Sequence, residues 1–357
     1  MDLSGIRGVH TFVQENTPFS QSIGDIWFEL GTSNKYIRIK KNGSYFWQNI
    51  LNYRLVGYGS SYGYSMGGYD GSNNLSTIDR ITFPFDSGTA SHVGNLSATR
   101  RYGVGCNSSN YGYCMGGYPN LSTINRITFP FDSGIASHVG NLSGSKYRCA
   151  GCNSSNYGYC MGGNDGSNVI STIDRITFPF DSGTASHVGN LSGTRSRCVG
   201  CNSSNYGYCM GGYDATNSMS TIDRITFPFD SGTASYVGNL SGSRRYGAGC
   251  NSSNYGFYIG GYSGSAYISI VDRIVFPFDS GTASHVGNLS GLKAHNAGCN
   301  SLNYGYCMGG YYSGYLSTID RITFPFDSAT ASHVGNLSGS RQYNAGCDGT
   351  DFVSLFN

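Results

Sequence analysis

Cysteine is the first residue type in the sequence whose spacing suggests chemistry. Two CxxC pairs occur, Cys149/Cys152 and Cys198/Cys201, and such pairs hold zinc when a second pair or histidines lie nearby. Each pair lies within a predicted strand, where residues three apart face opposite sides of the sheet. No histidine or second CxxC stands at ligand spacing. We therefore expect buried free thiols, no metal and no cofactor.

A second pair of cysteine positions recurs in most repeats, as in Cys106 and Cys114. If Ser109-Asn110 forms a tight hairpin turn, Cys106 lies opposite Tyr113 and Cys114 lies opposite Gly105. The two thiols then point to opposite faces of the sheet. The sequence predicts no disulfide within a repeat.

Histidines and aspartates also recur once per repeat, which argues against a singular catalytic centre. The serines of the CNSSNYG segments lie in a predicted turn and have no singular His/Asp partner, so a nucleophilic triad is unsupported. Turn or packing roles explain residues that every repeat carries, and the protein is predicted not to be an enzyme. The histidines are His92, His138, His187, His285 and His333, with Tyr236 in the sixth place, and one aspartate ring is Asp79, Asp174, Asp223, Asp272 and Asp320, with Asn125 in one copy.

The composition of the 357 residues favours an all-β fold. It includes 54 Gly and 29 Tyr, and only 12% of residues are charged, which is typical of many short strands joined by tight turns. The net charge of +2 gives no field that would attract nucleic acid. The first residues, Met1–Thr17, lack the pattern of a signal peptide, and no apolar run is long enough to span a membrane. We expect neither nucleic-acid binding nor membrane insertion.

The sequence repeats itself with a period near 50 residues, which is typical of propeller blades or solenoid units. The segment ITFPFDSGTASHVGNL at Ile81–Leu96 returns with few changes in each copy. The element YGYCMGG, with variants, also recurs, and the first glycine of its Gly-Gly pair is Gly67, Gly116, Gly162, Gly211, Gly260 and Gly309. Six copies are present.

Each copy contains the signals of four strands, which we call A to D. In one copy they are predicted around Tyr102–Cys106 (A), Tyr111–Met115 (B), Thr123–Phe129 (C) and Ala136–Leu142 (D). Proline cannot donate a hydrogen bond to a neighbouring strand, so Pro84 and its counterparts should mark the end of strand C or a bulge.

The order of these signals resembles the kelch motif over residues 51 to 357. Strand B ends in Gly-Gly, strand C closes on the aromatic-Asp pair Phe85-Asp86, and Arg100 opens the next unit. The kelch tryptophan of strand D is absent, since His92 or Val93 stands there. The resemblance implies a β-propeller.

The chain ends predict how the ring closes. Arg341–Cys347 matches strand A and Phe352–Phe356 matches strand B, while Lys35–Lys41 and Tyr45–Ile50 read as a C–D hairpin. Joined, the two halves give a seven-bladed β-propeller of six full kelch-like repeats plus a composite blade closed by both chain ends. The predicted organisation is an N-terminal extension for docking (1–23), a segment that gives strands to the closing blade (24–50), six kelch-like repeats (51–340) and C-terminal strands that complete the seventh blade (341–357).

One N-terminal segment indicates a biological setting. Gly24–Gln48 resembles a short segment of bacteriophage tail-fibre and other virion proteins, of the form Gly-Asp-(Ile/Leu)-Trp-(Phe/Tyr) followed by a strand and a tryptophan. The resemblance implies a virion location, in a tail or surface appendage, with this segment contacting other virion subunits. The alternative is that Trp27 and Trp47 are core aromatics of the closing blade.

Differences between copies concentrate after Gly-Gly and at the start of strand A. These two connections emerge on one face of a propeller, which we call the B–C face, whereas the opposite A–B face is almost invariant. The variable positions are rich in Tyr, Arg, Asn, Ser and Gly, the composition of adaptable recognition surfaces. Drift at exposed loops is the alternative explanation. The candidate binding residues are Tyr69, Arg101, Tyr102, Tyr118, Tyr147, Arg148, Arg197, Tyr213, Arg245, Tyr246, Tyr262, His295, Tyr311 and Tyr343.

Together these patterns predict a non-enzymatic receptor-binding or appendage protein of a bacteriophage. It would recognise a host surface glycan or protein through the B–C face. The alternative function is a structural virion spacer that engages neighbouring subunits.

Overall fold

The computed structural model describes residues 11–14, 26–29, 35–41, 44–49 and 61–349. The chain divides into two compact units, Met1–Gly59 and Ser60–Asn357. In the first unit, four strands form one sheet in the order β1-β2-β3-β4. These strands are β1 (Thr11–Gln14), β2 (Ile26–Glu29), β3 (Lys35–Lys41) and β4 (Ser44–Asn49).

The second unit is a β-propeller of six blades. Strands A are β8 (Val104–Asn107), β12 (Ala150–Asn153), β16 (Val199–Asn202), β20 (Ala248–Asn251), β24 (Ala297–Asn300) and β29 (Ala345–Gly349). Strands B are β5 (Tyr62–Tyr69), β9 (Tyr111–Gly117), β13 (Tyr157–Asn164), β17 (Tyr206–Tyr213), β21 (Tyr255–Tyr262) and β25 (Tyr304–Tyr311). Strands C are β6 (Asn74–Thr82), β10 (Leu121–Thr128), β14 (Val169–Thr177), β18 (Ser218–Thr226), β22 (Tyr267–Val275) and β26 (Tyr315–Thr323). Strands D are β7 (Ser91–Asn95), β11 (Ser137–Asn141), β15 (Ser186–Asn190), β19 (Ser235–Asn239), β23 (Ser284–Asn288) and β28 (Ser332–Asn336), and a short strand β27 (Ala329–Thr330) pairs with β23.

The ring closes differently from the sequence prediction, and the seventh blade is wrong. Strand β29 pairs with β5, so the C-terminal strand A completes the blade β29-β5-β6-β7. The hairpin β3–β4 does form, but it pairs with β2 in the N-terminal unit. The physical reason is that β5 has an open edge, which the C-terminal strand A fills. The segment Phe352–Phe356 lies outside the described residues.

Within a blade the predicted register is confirmed. Cys106 pairs with Tyr113 and Gly105 pairs with Cys114, so the two thiols lie on opposite faces of the sheet. Strand C of the first blade ends at Thr82, two residues before Pro84, as the missing N–H of proline requires.

The core lies between blades. Strands B are buried along almost their whole length because neighbouring blades cover both faces of each sheet. Tyr113 and Met115 of one blade pack in one cluster with Ile176 and Phe180 of the next. The Tyr113 hydroxyl also accepts the Phe180 N–H at 3.0 Å, which fixes the spacing between the two blades.

Glycine in the middle of strand A lets the six blades meet at the centre. A Cβ on Gly200 would collide with the carbonyl oxygen of Gly151, and one on Gly151 would collide with that of Gly105. Side chains at this position would force the blades apart, because the obstructing atoms belong to the backbone.

Candidate functional site

Six residues form a closed ring at the start of strands A, which we call the inner ring. Each backbone N–H donates to the carbonyl of the preceding blade's residue, over 2.7 to 3.1 Å, and the last bond closes the circle. All six have a φ of 60° to 64°, which costs non-glycine residues about 1–2 kcal/mol each. The members are Tyr102, Arg148, Arg197, Tyr246, His295 and Tyr343.

Two further rings surround the inner ring. The residue before each inner-ring member forms a β-bridge with the residue that follows the Gly-Gly of strand B. We call these the outer ring and the post-glycine ring, and all three rings together the mouth. The outer ring is Arg101, Tyr147, Ser196, Arg245, Ala294 and Gln342, and the post-glycine ring is Tyr69, Tyr118, Asn164, Tyr213, Tyr262 and Tyr311. The fourteen binding residues predicted from sequence all belong to these rings.

Tyrosine rings hold the four arginines of the mouth. The guanidinium carbon of Arg101 lies 4.6 Å from the ring centroids of both Tyr69 and Tyr118. Arg245 is placed in the same way between Tyr213 and Tyr262, at 4.5 and 5.3 Å. Since cation–π contacts position a guanidinium without neutralising it, these cations stay available to a ligand.

The two inner-ring arginines have similar contacts. Arg148 lies 4.3 Å from the centroid of Tyr102 and donates from Nη2 to its hydroxyl at 3.0 Å. Arg197 lies 4.2 Å from the centroid of Tyr213 and 5.1 Å from that of Tyr246. Both guanidiniums are therefore fixed by aromatic rings near the propeller axis.

None of the four mouth arginines forms an ion pair with a residue of the described segment 61–349. Their Nε atoms are buried and have no hydrogen-bond partner among the described residues. An unsatisfied buried donor is costly, about 1–3 kcal/mol for a neutral group and more for a charged one. The mouth thus concentrates uncompensated positive charge.

Burial and mutual repulsion shape the electrostatics of the mouth. Burial lowers the pKa of Arg197, and the neighbouring Arg148 and Arg245 lower it further. Burial, followed by the fields of these three arginines, lowers the pKa of His295 to about 3. His295 is therefore neutral at physiological pH, and its buried Nδ1 has no partner among the described residues.

Carboxylates on the same face stand in the B–C loops and are occupied by local turns. The Oδ1 atom of Asp70 accepts the N–H groups of Ser72 and Asn73 at 2.8 and 2.7 Å. Asp165 and Asp214 cap their loops in the same way. These hydrogen bonds lower the pKa of each aspartate, which keeps the carboxylates ionised within their loops.

An arc of five tyrosines occupies one side of the mouth, and we call it the tyrosine arc. Its successive ring centroids lie 5.2, 5.9, 5.4 and 5.9 Å apart, in the order Tyr262, Tyr267, Tyr311, Tyr315 and Tyr69. Sequence reasoning missed Tyr267 and Tyr315. A signal was present, because they begin strand C where other copies have Asn74, Val169 or Ser218.

At the far end of strands A, a ring of side-chain amides, with the carboxylate of Asp348 in one place, links neighbouring blades. The Oδ1 atom of Asn202 accepts the N–H of Asn153 at 3.3 Å, and that of Asp348 accepts the N–H of Asn300 at 2.9 Å. Asn107, Asn153 and Asn251 are members of the same ring. A cavity of about 170 Å³ runs along strands A, and its lining is similar in every blade.

The described residues carry no group of His, Cys, Asp or Glu that would hold a metal ion. The twelve cysteines are free thiols and, except for the half-buried Cys149, are buried. Burial raises the pKa of Cys307 to about 11. None of the described residues forms a helix long and apolar enough to span a membrane.

The comparisons with known proteins show the fold. No protein family and no curated protein matches the sequence. The solved structure of YjhT, a kelch-type propeller, is similar with a TM-score of 0.60 over 71% of this chain and 88% of that chain. The sequence identity is 11%, so the similarity supports the architecture alone.

Proposed function

We propose that the chain is a non-enzymatic binding protein of a bacteriophage virion, a tail fibre or receptor-binding appendage. In this proposal the mouth attaches to a glycan or protein on the host surface. The observation that carries it is the contrast within each blade: the frame repeats nearly verbatim, while residues of the inner and outer rings differ from blade to blade. The resemblance of Gly24–Gln48 to phage tail-fibre segments supports the virion setting and contacts with other virion subunits.

The chemistry of the mouth suits recognition. Tyrosine offers a rigid ring and a hydroxyl, and arginine offers five donors in a planar fork. Backbone ring closure fixes both residue types before a ligand arrives, which lowers the entropic cost of binding. The strain of six left-handed residues at one place is typical of functional sites.

The test is attachment of the purified full chain to bacterial cells and to panels of surface polysaccharides. Alanine at Arg101/Tyr102, Tyr147/Arg148 or Arg245/Tyr246 should weaken attachment by about 2 kcal/mol, roughly 30-fold. Controls are Tyr236→His, which installs the residue that other blades carry, and the exposed turn serine change Ser155→Ala. If the mouth variants and the controls attach equally well, the virion spacer function replaces this proposal.

A further inference from the structure

The four mouth arginines, Arg101, Arg148, Arg197 and Arg245, which we call the arginine centre, lie next to the tyrosine arc and differ from it in chemistry. Arg245 contacts Tyr262, which is the first member of the arc. His295 lies 6.4 Å, between ring centroids, from Tyr267 of the arc and 4.0 Å from Tyr246 of the inner ring. A ligand that leaves the arginine centre on this side therefore passes directly onto aromatic rings.

The arginine centre has no ion-pair partner among the described residues, whereas every arginine of the described frame except Arg100 has one. Arg80, Arg126 and Arg175 each pair with an aspartate of the next blade. Buried Nε donors without a partner occur in both groups, as in the paired Arg273 and Arg321, so the missing ion pair is what distinguishes the mouth arginines. Because an anion with planar or tetrahedral oxygens accepts two guanidinium hydrogen bonds at once, it suits a guanidinium without an ion-pair partner better than a hydroxyl does.

The tyrosine arc offers a surface for the rest of the ligand. Adjacent rings of the arc meet edge-on or tilted, so part of each ring is left for another group to contact. Tyr311 and Tyr315 are half-buried, and their neighbour Tyr312 is 45% exposed. Rigid amphipathic rings of this kind pack on sugar faces while their hydroxyl groups bond sugar hydroxyls.

We infer that the mouth binds an anionic polysaccharide, whose charged group enters the arginine centre and whose sugar rings lie along the tyrosine arc. This inference rests on the proposed function and names its ligand class. Carboxylate, sulfate and phosphate groups share the required chemistry.

The first experiment measures binding of the full chain to an oligogalacturonate and to its carboxyl-reduced, neutral counterpart. A sulfated oligosaccharide and a glycerol-phosphate polymer identify which anion is preferred. The anionic ligands should bind at least 10-fold more tightly than the neutral one, and added salt should reduce that difference because it screens charge. Equal affinity for the charged and neutral ligands overturns the inference, although the proposed attachment function then survives.

The second experiment separates the two parts of the site. Arg148→Met and Arg197→Met keep the apolar stems but remove the charge, and we expect each to weaken anionic ligands at least 10-fold while the Lys variants retain part of the binding. Tyr267→Ala and Tyr315→Ala should weaken long oligosaccharides about 5-fold and leave a charged monosaccharide unaffected. Tyr236→Ala, outside the mouth, is the matched control. The inference fails if the Met variants bind anionic ligands as the parent does, or if the Tyr variants affect short and long ligands alike.

Discussion

The Arg341 Nη2 atom lies 2.7 Å from Oδ2 of Asp79, although 262 residues separate the two in the chain. Both side chains are almost fully buried. This ion pair links the end of the last repeat to the first blade. The same contact joins each of four other neighbouring pairs of blades: Lys146–Asp174, Arg195–Asp223, Arg244–Asp272 and Lys293–Asp320.

Arg341→Met should lower the free energy of unfolding by about 3–5 kcal/mol, because it leaves the Asp79 carboxylate buried without its cation. Urea unfolding measures the change. Arg100→Met is the matched control, since Arg100 faces Asn125 and donates to the carbonyls of Gly116 and Thr123. Arg100→Met should lower the free energy of unfolding by about 1–2 kcal/mol, which is the range expected for lost hydrogen bonds. Equal losses of unfolding free energy in the two variants would show that the unpaired Asp79 carboxylate is not what destabilises Arg341→Met.

Deletion of residues 345–357 should cause aggregation or loss of cooperative unfolding. The deletion removes β29 and leaves the edge of β5 unpaired, and such an edge recruits other chains. Light scattering and thermal unfolding provide the measurements. A chain that ends at Gly349 is the control, because it retains β29. A monomeric deletion variant with unchanged melting would contradict closure by this strand.

The repeat made the blade predictable but not the number of blades. The register of Cys106 against Tyr113 follows from local turn chemistry, and the structure agrees with it. Closure depends on which distant strand fills the open edge of β5, a choice that no local pattern encodes. The Lys35–Lys41 hairpin has the right strand signals, yet its partners lie in the N-terminal unit.

The candidate site was predictable as a set of positions, because copies of one repeat can be compared within one chain. The electrostatics of the site were not predictable from the sequence. The sequence shows arginine at the start of strand A, but only the fold shows Arg101 held between Tyr69 and Tyr118 without an ion-pair partner among the described residues. The contribution of Tyr267 and Tyr315 also required the fold, because residues of different blades meet in the arc.

Gly200→Ala should lower the free energy of unfolding by about 1–3 kcal/mol or more, because the added methyl group overpacks against backbone atoms that have little room to move. The added Cβ would collide with the Gly151 carbonyl oxygen. Gly193→Ala is the matched control, since a Cβ there meets no atom within 4 Å. Chemical denaturation of the two variants measures the difference, and equal stability would contradict the tight approach of the blades.

The low pKa of His295 predicts a pH dependence of stability. Its folded-state pKa of about 3 lies below the ordinary value of 6.5, so the unfolded chain binds more protons between these values. The contribution of this residue is complete above pH 6.5 and is lost as the pH falls towards 3. His295→Tyr, which installs the residue found at Tyr102, should reduce that acid sensitivity.

Urea unfolding between pH 7 and pH 4 tests whether stability falls with pH in this direction. His285→Tyr is the control, because it removes an exposed histidine of strand D at the position that Tyr236 holds in its own blade. The control should keep the pH dependence of the parent chain. If His295→Tyr keeps it as well, His295 does not titrate as its position beside Arg148, Arg197 and Arg245 requires.

Arg197→Gly should be more stable than Arg197→Ala although both weaken binding, because the inner ring holds a non-glycine residue at a φ of 60°. Relative to alanine, glycine removes a backbone cost of about 1–2 kcal/mol and adds an unfolded-state entropy cost of about 0.5–1 kcal/mol, so the expected gain over the Ala variant is about 0.5–1 kcal/mol. Arg197→Ala removes the same guanidinium but keeps the strain, so it should lose binding without that gain. Paired measurements of unfolding free energy and oligosaccharide affinity distinguish the two variants. If Gly and Ala give the same stability, the left-handed backbone at the mouth carries no strain; if both bind as the parent does, Arg197 makes no contact with the ligand.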